Sequence, residues 1–231
     1  MTVLLLRLAG PMQSWGHDAR FKRRSTAAHP TKSGVLGLVA AAMGLRRTDS
    51  ISDLLGLRFG VRVDQPGVVL TDFHTAHVDG PTKPPVVSQR DYLSDAVFLA
   101  GLEGSARLVE SLEQAFARPR FPLYLGRRSC PVEGQLVLGS SDSPLEEALA
   151  QHEWLAAPFT RRHHSREVYL ETFVDAPSLG HRRMRDVPIS FGSQHRQYTW
   201  RAVKAGVVQL KNPQGRRDPG GLVDWLAEVS G

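Results

Sequence analysis

The sequence predicts an α+β protein, and the order of its predicted elements carries that prediction. Up to residue 139, segments with strand or helix periodicity follow the order strand, helix, strand, strand, helix, strand. From residue 140 onward the predicted elements are mostly strands. The first order is that of the ferredoxin-like (RRM-like) plan, which hosts many functions. We therefore expect a ferredoxin-like unit over residues 1–139 and a β-rich C-terminal part over residues 140–231.

The first two predicted elements are a buried strand and a helix. The strand covers residues 3–8, an apolar run that ends at "AGP". A basic loop follows, and then a helix with Ser33 as its predicted N-cap and Gly44 as its end. The apolar face of this helix repeats at helical spacing through Val35, Leu38, Val39 and Ala42.

The middle of this unit contains an apparent insertion. Residues 58–63 alternate like a strand, and "DQPG" predicts a hairpin into "VVLTDF". Residues 74–92 are polar and contain three prolines, yet a strand-like segment at 96–102 comes next. An excursion that leaves and re-enters a sheet explains this order.

Later elements follow from the same signals. An amphipathic helix contains Leu108, Val109, Leu112, Ala115 and Phe116 and stops at Pro119, and "GQLVLG" supplies a further strand. Ser143, as N-cap, with Pro144 and Glu146 predicts a short acidic helix. Strands at 168–174 and 198–210 and a helix at 222–229 complete the C-terminal part, which we expect to pack against the first unit.

Composition excludes several classes of protein. No apolar run approaches the roughly 20 residues of a membrane helix, and the apolar start is too short for a signal peptide, so we expect a cytoplasmic protein. The one cysteine, Cys130, excludes an internal disulfide and leaves no CxxC pair for zinc. We expect Cys130 to be a small buried side chain, and no motif indicates a cofactor or a metal.

The distribution of charge indicates a polyanionic partner. The net charge is +6, and residues 161–217 carry twelve Lys or Arg against four acids, whereas residues 129–160 carry no Lys or Arg. Arginine dominates the basic segments "RRHHSR", "HRRMR" and "GRR". Because its planar fork suits phosphates and base edges, this excess favours a nucleic acid. The segment without basic residues is a candidate protein-facing surface.

The entry to the first helix is a candidate phosphate site. A helix N-terminus leaves backbone N–H groups unpaired, so Thr31, Lys32 and Ser33 are candidates there, with a plain capping role for Ser33 as the alternative. In the loop before it, the Gln13 amide is suited to contact a base edge, and the Trp15 ring is suited to stack on a base. The sequence leaves open whether Trp15 stacks a base or fills the core.

Further candidates lie in three basic segments. Arg23 and Arg24 have no acidic neighbour in sequence, which favours RNA phosphate over an ion pair. Gly126 fixes a tight turn that carries Arg127 and Arg128, of which one is expected to brace the protein while the other meets RNA. The stretch "SFGSQHRQYTW" mixes basic and aromatic residues, as single-stranded RNA-binding surfaces do, and a strand with one buried aromatic face is the alternative. The "RRHHSR" run is expected to be a mobile basic loop near RNA or DNA.

The alternative to a protein that only binds RNA is a metal-independent endoribonuclease. Cleavage by attack of a 2′-hydroxyl needs a general base and a general acid at one phosphate. Residues of suitable type are present, but nothing in their spacing brings them together. They are His29, His74, His77, Lys83, Tyr92, His163 and His164.

Five segments resemble the CasD family in the family's own order: "LRLAGPMQSWG", "PTKSGVLGLVAAAMG", "DFHTA", "RDYLSDAVF" and "PLYLGRRSCP". CasD proteins are RAMP-superfamily subunits of the type I-E CRISPR surveillance complex, Cascade, and hold the 5′ handle of the crRNA. The resemblance covers residues 3–139, and "LAGPMQSWG" and "YLGRRSCP" are its most specific parts. Beyond residue 140 it rests mainly on "SQHRQYTWRAV".

The resemblance implies a hand-like protein with a non-catalytic role. The ferredoxin-like unit is the palm, and a protruding β-hairpin thumb is expected at about residues 74–92, against the crRNA between handle and spacer. The implied partners are the crRNA handle and first spacer nucleotides, the backbone, large and small Cascade subunits, and target DNA through the assembled complex. A different subunit cuts the precursor RNA in type I-E systems, so this chain is expected to cap the product.

Together, the residues and the resemblance predict an RNA-binding set without a catalytic or metal site. The predicted RNA-binding residues are Gln13, Trp15, Arg23, Arg24, Thr31, Lys32, Ser33, Arg90, Arg127, Arg128, His195 and Arg196.

Overall fold

The computed structural model describes residues 1–16, 23–76, 85–177, 182–192 and 197–216. The helices are α1 (Lys32–Met43), α2 (Ser52–Leu55), α3 (Ala106–Ala117), α4 (Leu145–Gln151) and α5 (Pro158–His163). The strands are β1 (Thr2–Ala9), β2 (Met12–Gln13), β3 (Arg23–Arg24), β4 (Arg58–Gln65), β5 (Val68–Ala76), β6 (Val86–Ser94), β7 (Val97–Gly104), β8 (Val137–Ser141), β9 (Glu167–Ala176), β10 (Arg182–Ser190) and β11 (Gln197–Lys211).

A seven-stranded sheet forms the centre of the molecule, in the order β10-β11-β9-β4-β7-β1-β8. Within it, β1 lies antiparallel between β7 and β8, and β4 pairs antiparallel with β7. Together with α1 and α3, these four strands are the predicted ferredoxin-like palm. The predicted order of palm elements is therefore confirmed.

Helices cover both faces of the palm sheet. Residues of α1 and α3 share one apolar core with Leu4, Leu6 and Leu8 of β1. Leu145 and Leu149 of α4 pack on the opposite face, against alternate residues of β1 and β7. Because side chains alternate across a strand, this two-sided cover explains why β7 is buried at every position.

The C-terminal strands continue the palm sheet edge to edge. β9 pairs with β4, β11 pairs with β9 along ten residues from Ala202 to Lys211, and β10 pairs with β11. The strands predicted at 168–174 and 198–210 are present as β9 and β11. The sequence did not predict β10, because its charged residues and Pro188 are typical of an edge strand and break the apolar alternation.

The predicted excursion is a β-hairpin, and it is larger than predicted. β5 and β6 pair antiparallel from Val68 with Ser94 to Ala76 with Val86, so the arms extend beyond residues 74–92. The hairpin predicted at "DQPG" is wrong, since β4 pairs with β7 and β9 instead of β5. β2 and β3 also pair with β6, which makes a small second sheet at the hairpin base. Residues 77–84 lie outside the described residues.

Several predicted helix boundaries need correction. Thr31, not Ser33, is the N-cap of α1, and its hydroxyl accepts a hydrogen bond from the Gly34 N–H. α4 begins one residue after Pro144, which is its N-cap residue in place of Ser143 and has no side-chain oxygen to accept a capping hydrogen bond. The "RRHHSR" segment, predicted as a loop, starts within the short helix α5. The predicted helix at 222–229 lies outside the described residues.

A fully buried ion pair holds the segment after α4 against the sheet. Arg62 in β4 forms two hydrogen bonds with Asp64, at 2.7 and 2.8 Å, and both side chains are fully buried. The Arg62 guanidinium also donates to the carbonyls of Leu149, His152 and Glu153. One arginine therefore satisfies the carbonyls at the end of α4, which a helix otherwise leaves unpaired.

In the part of the chain that the structure describes, we find no helix that is long and apolar enough to cross a membrane.

Candidate nucleic-acid interface

A cleft of about 1910 Å³ runs along α1, between the base of the hairpin and the start of β11. Its described lining includes seven arginines and no Asp or Glu: Arg24, Arg46, Arg47, Arg90, Arg127, Arg128 and Arg185. Aromatic side chains share this lining, among them Phe121, Tyr124, Phe191 and Tyr198. Cations interleaved with aromatic rings suit the phosphates and unpaired bases of a single-stranded nucleic acid.

The turn that carries Arg127 and Arg128 depends on Gly126. Its φ is +86°, a left-handed conformation, and a Cβ atom there would overlap the carbonyl oxygen of Ser14. The turn is closed by hydrogen bonds from Leu125 N to Cys130 O, 2.7 Å, and from Cys130 N to Arg127 O, 2.9 Å. The sequence therefore needs glycine at this position for the two arginines to face the cleft.

Arg127 is the brace of the pair. Its guanidinium donates to Arg24 O over 2.7 Å and to Asp91 O over 3.2 Å, and lies 4.7 Å from the centre of the Tyr92 ring. These contacts tie the turn to β3 and β6. Arg128 is exposed, and within the described residues its side chain has no hydrogen-bond or ion-pair partner.

Arg23 and Arg24 lie side by side on β3 but differ in their surroundings. Both are exposed, and β3 runs parallel to β6 with Arg24 opposite Arg90. The expectation that Arg23 has no acidic neighbour is wrong, because its Nε lies 3.6 Å from Asp91 Oδ2. Since the Arg23 side chain is 71% exposed, this contact is screened and weak. Arg24, not Arg23, lines the cleft.

Arg90 is the most unusual arginine of the cleft. It lies on β6, half-buried, and its Nε is shielded from solvent without a hydrogen-bond partner in the described structure. Asp72 stands opposite it on β5, but the Asp72 carboxylate contacts His74 Nε2 at 2.6 Å. Because Arg90 lines the cleft and has no hydrogen-bond or ion-pair partner among the described residues, its charge is available to an anion there.

The N-terminus of α1 is closed by the protein itself. The Lys32 N–H donates to Asp186 Oδ2 over 2.9 Å, and Lys32 Nζ donates to Asp175 Oδ2 and to Leu57 O. Lys32 is therefore buried and paired, and we leave it out of the candidate contacts. Thr31 and Ser33 are also buried but line the cleft.

Arg201 on β11 anchors the two carboxylates at this helix end. It pairs with Asp186 through Nε and Nη2 and with Asp175 through Nη1 at 2.6 Å. Burial opposes the charge of Arg201, but Asp186 and then Asp175 raise the pKa of its guanidinium above the ordinary value. This network joins α1, β9, β10 and β11, so it fixes the cleft wall that carries Arg185 and Tyr198.

Gln13 and Trp15 lie in the core. Gln13 donates to Leu8 O and Ala96 O, and its Oε1 accepts a hydrogen bond from Trp15 Nε1 at 3.0 Å. Trp15 is 1% exposed and packs so closely on Gly34 that a Cβ atom there would lie 2.7 Å from the ring. A ring with no exposed face cannot stack a base, so this geometry favours the core alternative for Trp15.

The structure adds residues that sequence reasoning missed. Arg46 and Arg47 follow the end of α1, and a basic pair that begins two residues after the glycine C-cap was a signal that could have found them. Phe121 joins them because its N–H and that of Arg120 donate to carbonyls in the last turn of α1. Arg185 lies on β10, which the sequence did not predict. His195 and Arg196 lie outside the described residues.

The candidate acid–base residues are scattered. His29 stacks on Phe173 with ring centres 4.2 Å apart, and burial lowers its pKa. His74 on β5 lines the cleft, Tyr92 on β6 is buried, and His163 and His164 lie at α5. His77 and Lys83 lie outside the described residues. Among the residues described, we find no group of three that could hold a metal ion.

Cys130 matches its prediction as a small buried side chain. It is fully buried in the core, and burial raises the pKa of its thiol above the ordinary value. Since the thiolate is the nucleophilic form, this environment disfavours a reactive role.

Known proteins resemble this chain along nearly its whole length. The family described as "CRISPR-associated protein (Cas_Cas5)" matches residues 3–204. The CRISPR system Cascade subunit CasD of Escherichia coli (strain K12) is 32% identical, with 88% of this chain and 96% of the relative covered.

Two solved structures agree with that assignment. A chain of a CRISPR RNA-guided surveillance complex has a TM-score of 0.77 and 31% identity, over 98% of this chain and 97% of its own length. A structure titled "Crystal structure of Cas protein" has a TM-score of 0.72 and 38% identity, over 94% of this chain and 99% of its own length. This chain therefore belongs to the Cas5 family of CRISPR-associated proteins.

Proposed function

We propose that this protein is an RNA-binding subunit of a Cascade-type CRISPR surveillance complex, in the cytoplasm, and that its cleft holds the 5′ handle of mature crRNA. The observation that carries the proposal is the charge of the cleft, which has seven arginines and no acid among its described lining residues. Most clustered surface arginines have carboxylates among them, which makes this composition selective for an anion. The relative and the surveillance-complex structure identify which polyanion to test first.

The proposed contacts are those that line the cleft or lie at its rim. Arg24, Arg90 and Arg128 supply cations for phosphates, with Arg46, Arg47 and Arg185 along the other walls. Arg127 positions Arg24 by donating a hydrogen bond to the Arg24 carbonyl oxygen. The β5–β6 hairpin is proposed as the thumb that separates handle from spacer, and the segment 129–160 as a surface for neighbouring subunits. His195 and Arg196 remain candidates from the sequence.

The role is proposed as capping without cleavage. Acid–base cleavage of RNA requires two titratable groups at one phosphate, and among the described candidates only His74 lines the cleft. His29 is excluded from the cleft by its stacking on Phe173. The dispersal of these groups supports a subunit that binds the cut product.

The binding test compares two pairs of exposed arginines. Arg24→Ala with Arg128→Ala removes two cations from the cleft, whereas Arg107→Ala with Arg118→Ala removes the same charge from either end of α3. For labelled single-stranded handle RNA, the cleft pair should lower affinity about tenfold or more, since each charge-assisted contact contributes about 1.5 kcal/mol. The slope of log affinity against log salt should fall by about 1.4, because a single strand gives about 0.7 per phosphate.

Equal losses of RNA affinity in the two double variants would show that binding depends on net charge and would reject the cleft as the binding site.

Incubation of the wild-type protein with labelled repeat RNA, in EDTA and then in magnesium, tests the capping role. Intact RNA is expected in both; cleavage at one position in either would identify an endoribonuclease.

A further inference from the structure

A second basic surface lies far from the cleft, at α5. We name it the α5 patch and define it by its exposed residues: Arg162, His163, His164, Arg166 and Arg216. None of its three arginines has a carboxylate partner among the described residues. Glu167, the next residue after Arg166, accepts a hydrogen bond from Gln209 instead.

The α5 patch and the cleft lie at opposite ends of β11 and on opposite faces of the sheet. The cleft borders Tyr198 near the start of β11, and the patch adjoins Lys211 at its end. At ~3.3 Å per residue the strand between them is roughly 40 Å long. The segment before α5 also packs Trp154 and Ala156 against Val168 and Leu170, on the α4 side of the sheet, whereas the cleft follows α1 on the other side.

The backbone that carries the patch is firmly held. The buried Asn212 amide donates to Arg161 O over 2.7 Å and to Ser165 O over 2.9 Å. The N–H groups of Asn212 and Arg216 donate to the carbonyls of Arg166 and His164. Arg162, Arg166 and Arg216 therefore project from a fixed loop, and a polyanion that binds them orders few backbone groups.

We propose that the α5 patch is a second nucleic-acid site, which binds the phosphodiester backbone of a strand other than the one in the cleft. Arginine is the side chain best shaped for phosphate oxygens, and three of them without acids form a local positive field. Phe159, exposed and packed on His163 with ring centres 4.2 Å apart, adds an aromatic surface at the same place. Contacts of this kind position a backbone without sequence preference.

The test uses the full chain with three substitution sets. Arg162→Ala, Arg166→Ala and Arg216→Ala together remove the patch, and Arg107→Ala, Arg118→Ala and Lys204→Ala remove equal charge from exposed positions outside both sites. The same patch positions changed to Lys keep the charge. Binding of a labelled DNA duplex and of labelled single-stranded RNA is measured across salt concentrations.

The patch set should weaken binding of at least one probe by tenfold or more. The salt slope should fall by about 2.7 for duplex DNA, at about 0.9 per phosphate, or by about 2 for single-stranded RNA. The probe that loses more identifies the strand, and the Lys set should restore most of the affinity. Unchanged binding of both probes, or an equal loss in the control set, overturns the proposal. The outcome is independent of the cleft pair Arg24 and Arg128, whose own variants test the handle site.

Discussion

The backbone N–H of Lys32 donates to Asp186 Oδ2 over 2.9 Å, which places a carboxylate of β10 at the N-terminus of α1. The same carboxylate group forms two hydrogen bonds with Arg201. A helix N-terminus attracts anions, and here the anion is a side chain of the protein. Recognition of an external phosphate is thereby left to the arginines of the cleft.

Asp186→Ala should destabilise the protein strongly. It removes the carboxylate that accepts the Lys32 N–H at the N-terminus of α1, and it leaves Arg201 buried with only Asp175 as its charged partner. Breaking a buried pair in this way costs about 3–5 kcal/mol in the free energy of unfolding, measured by urea denaturation. Thr31→Ala, which removes only the N-cap hydrogen bond, should cost about 1 kcal/mol. Similar losses for the two variants would contradict the anchoring role of Asp186.

Stability should fall as the pH is lowered because of His29. Burial lowers the pKa of His29 in the folded protein, so the unfolded chain binds the additional proton first. The contribution is fully present above the unfolded pKa of about 6.5 and is lost as the pH falls below it, by at most about 1.4 kcal/mol per pH unit. His29→Phe keeps the ring stacked on Phe173 and should flatten this part of the pH profile. A variant profile as steep as that of wild type would exclude His29 as its source.

Arg62→Ala should lower the free energy of unfolding by about 3–5 kcal/mol, because Asp64 stays buried without its partner. Three carbonyls after and within α4 also lose their donor. Arg62→Lys keeps the charge but cannot reproduce the forked geometry, so its loss should lie between wild type and Arg62→Ala. Chemical denaturation measures all three proteins. An Arg62→Ala protein within about 1 kcal/mol of wild type would show that the pair is not essential.

Gly126→Ala should lower both stability and RNA affinity. The left-handed backbone alone costs a non-glycine residue about 1–2 kcal/mol, and the added Cβ atom overlaps Ser14 O. The turn must shift, which displaces Arg127 and Arg128 together. Thermal unfolding and RNA titration check the two effects, and Gly139→Ala, with open space and a φ of +129°, is a control for backbone strain alone. RNA affinity that falls equally in both variants would deny a special role for this turn.

The sequence predicted the palm because its apolar periodicity is local information. β1 is a continuous apolar run and α3 has a clear helical period, while Gly44 ends α1 in the left-handed conformation expected of a glycine C-cap. The hairpin at "DQPG" failed because strand pairing depends on distant partners: β4 is buried on both faces between β7 and β9, which no local turn signal reveals.

The site was harder to predict than the fold, because charge in a sequence does not show burial. Lys32 and Arg24 look alike as basic residues near a helix entry, yet Asp175 neutralises Lys32 in the core while Arg24 faces the cleft. Trp15 and Gln13 form a buried hydrogen-bonded pair, although the basic residues that follow them in the sequence indicated an exposed loop. Arg185 was not predicted as a cleft residue because it lies on β10, and the edge-strand composition of β10 did not indicate a strand.

Photocrosslinking in the assembled complex shows directly which RNA segment lies in the cleft. A photoreactive amino acid in place of Arg128 lies in the cleft, and the same residue in place of Arg107 lies on α3 outside it. If the cleft holds the crRNA 5′ handle, the probe at position 128 crosslinks to handle nucleotides and the probe at position 107 does not. Crosslinks from position 128 only to spacer nucleotides, only to protein, or to no RNA would contradict it.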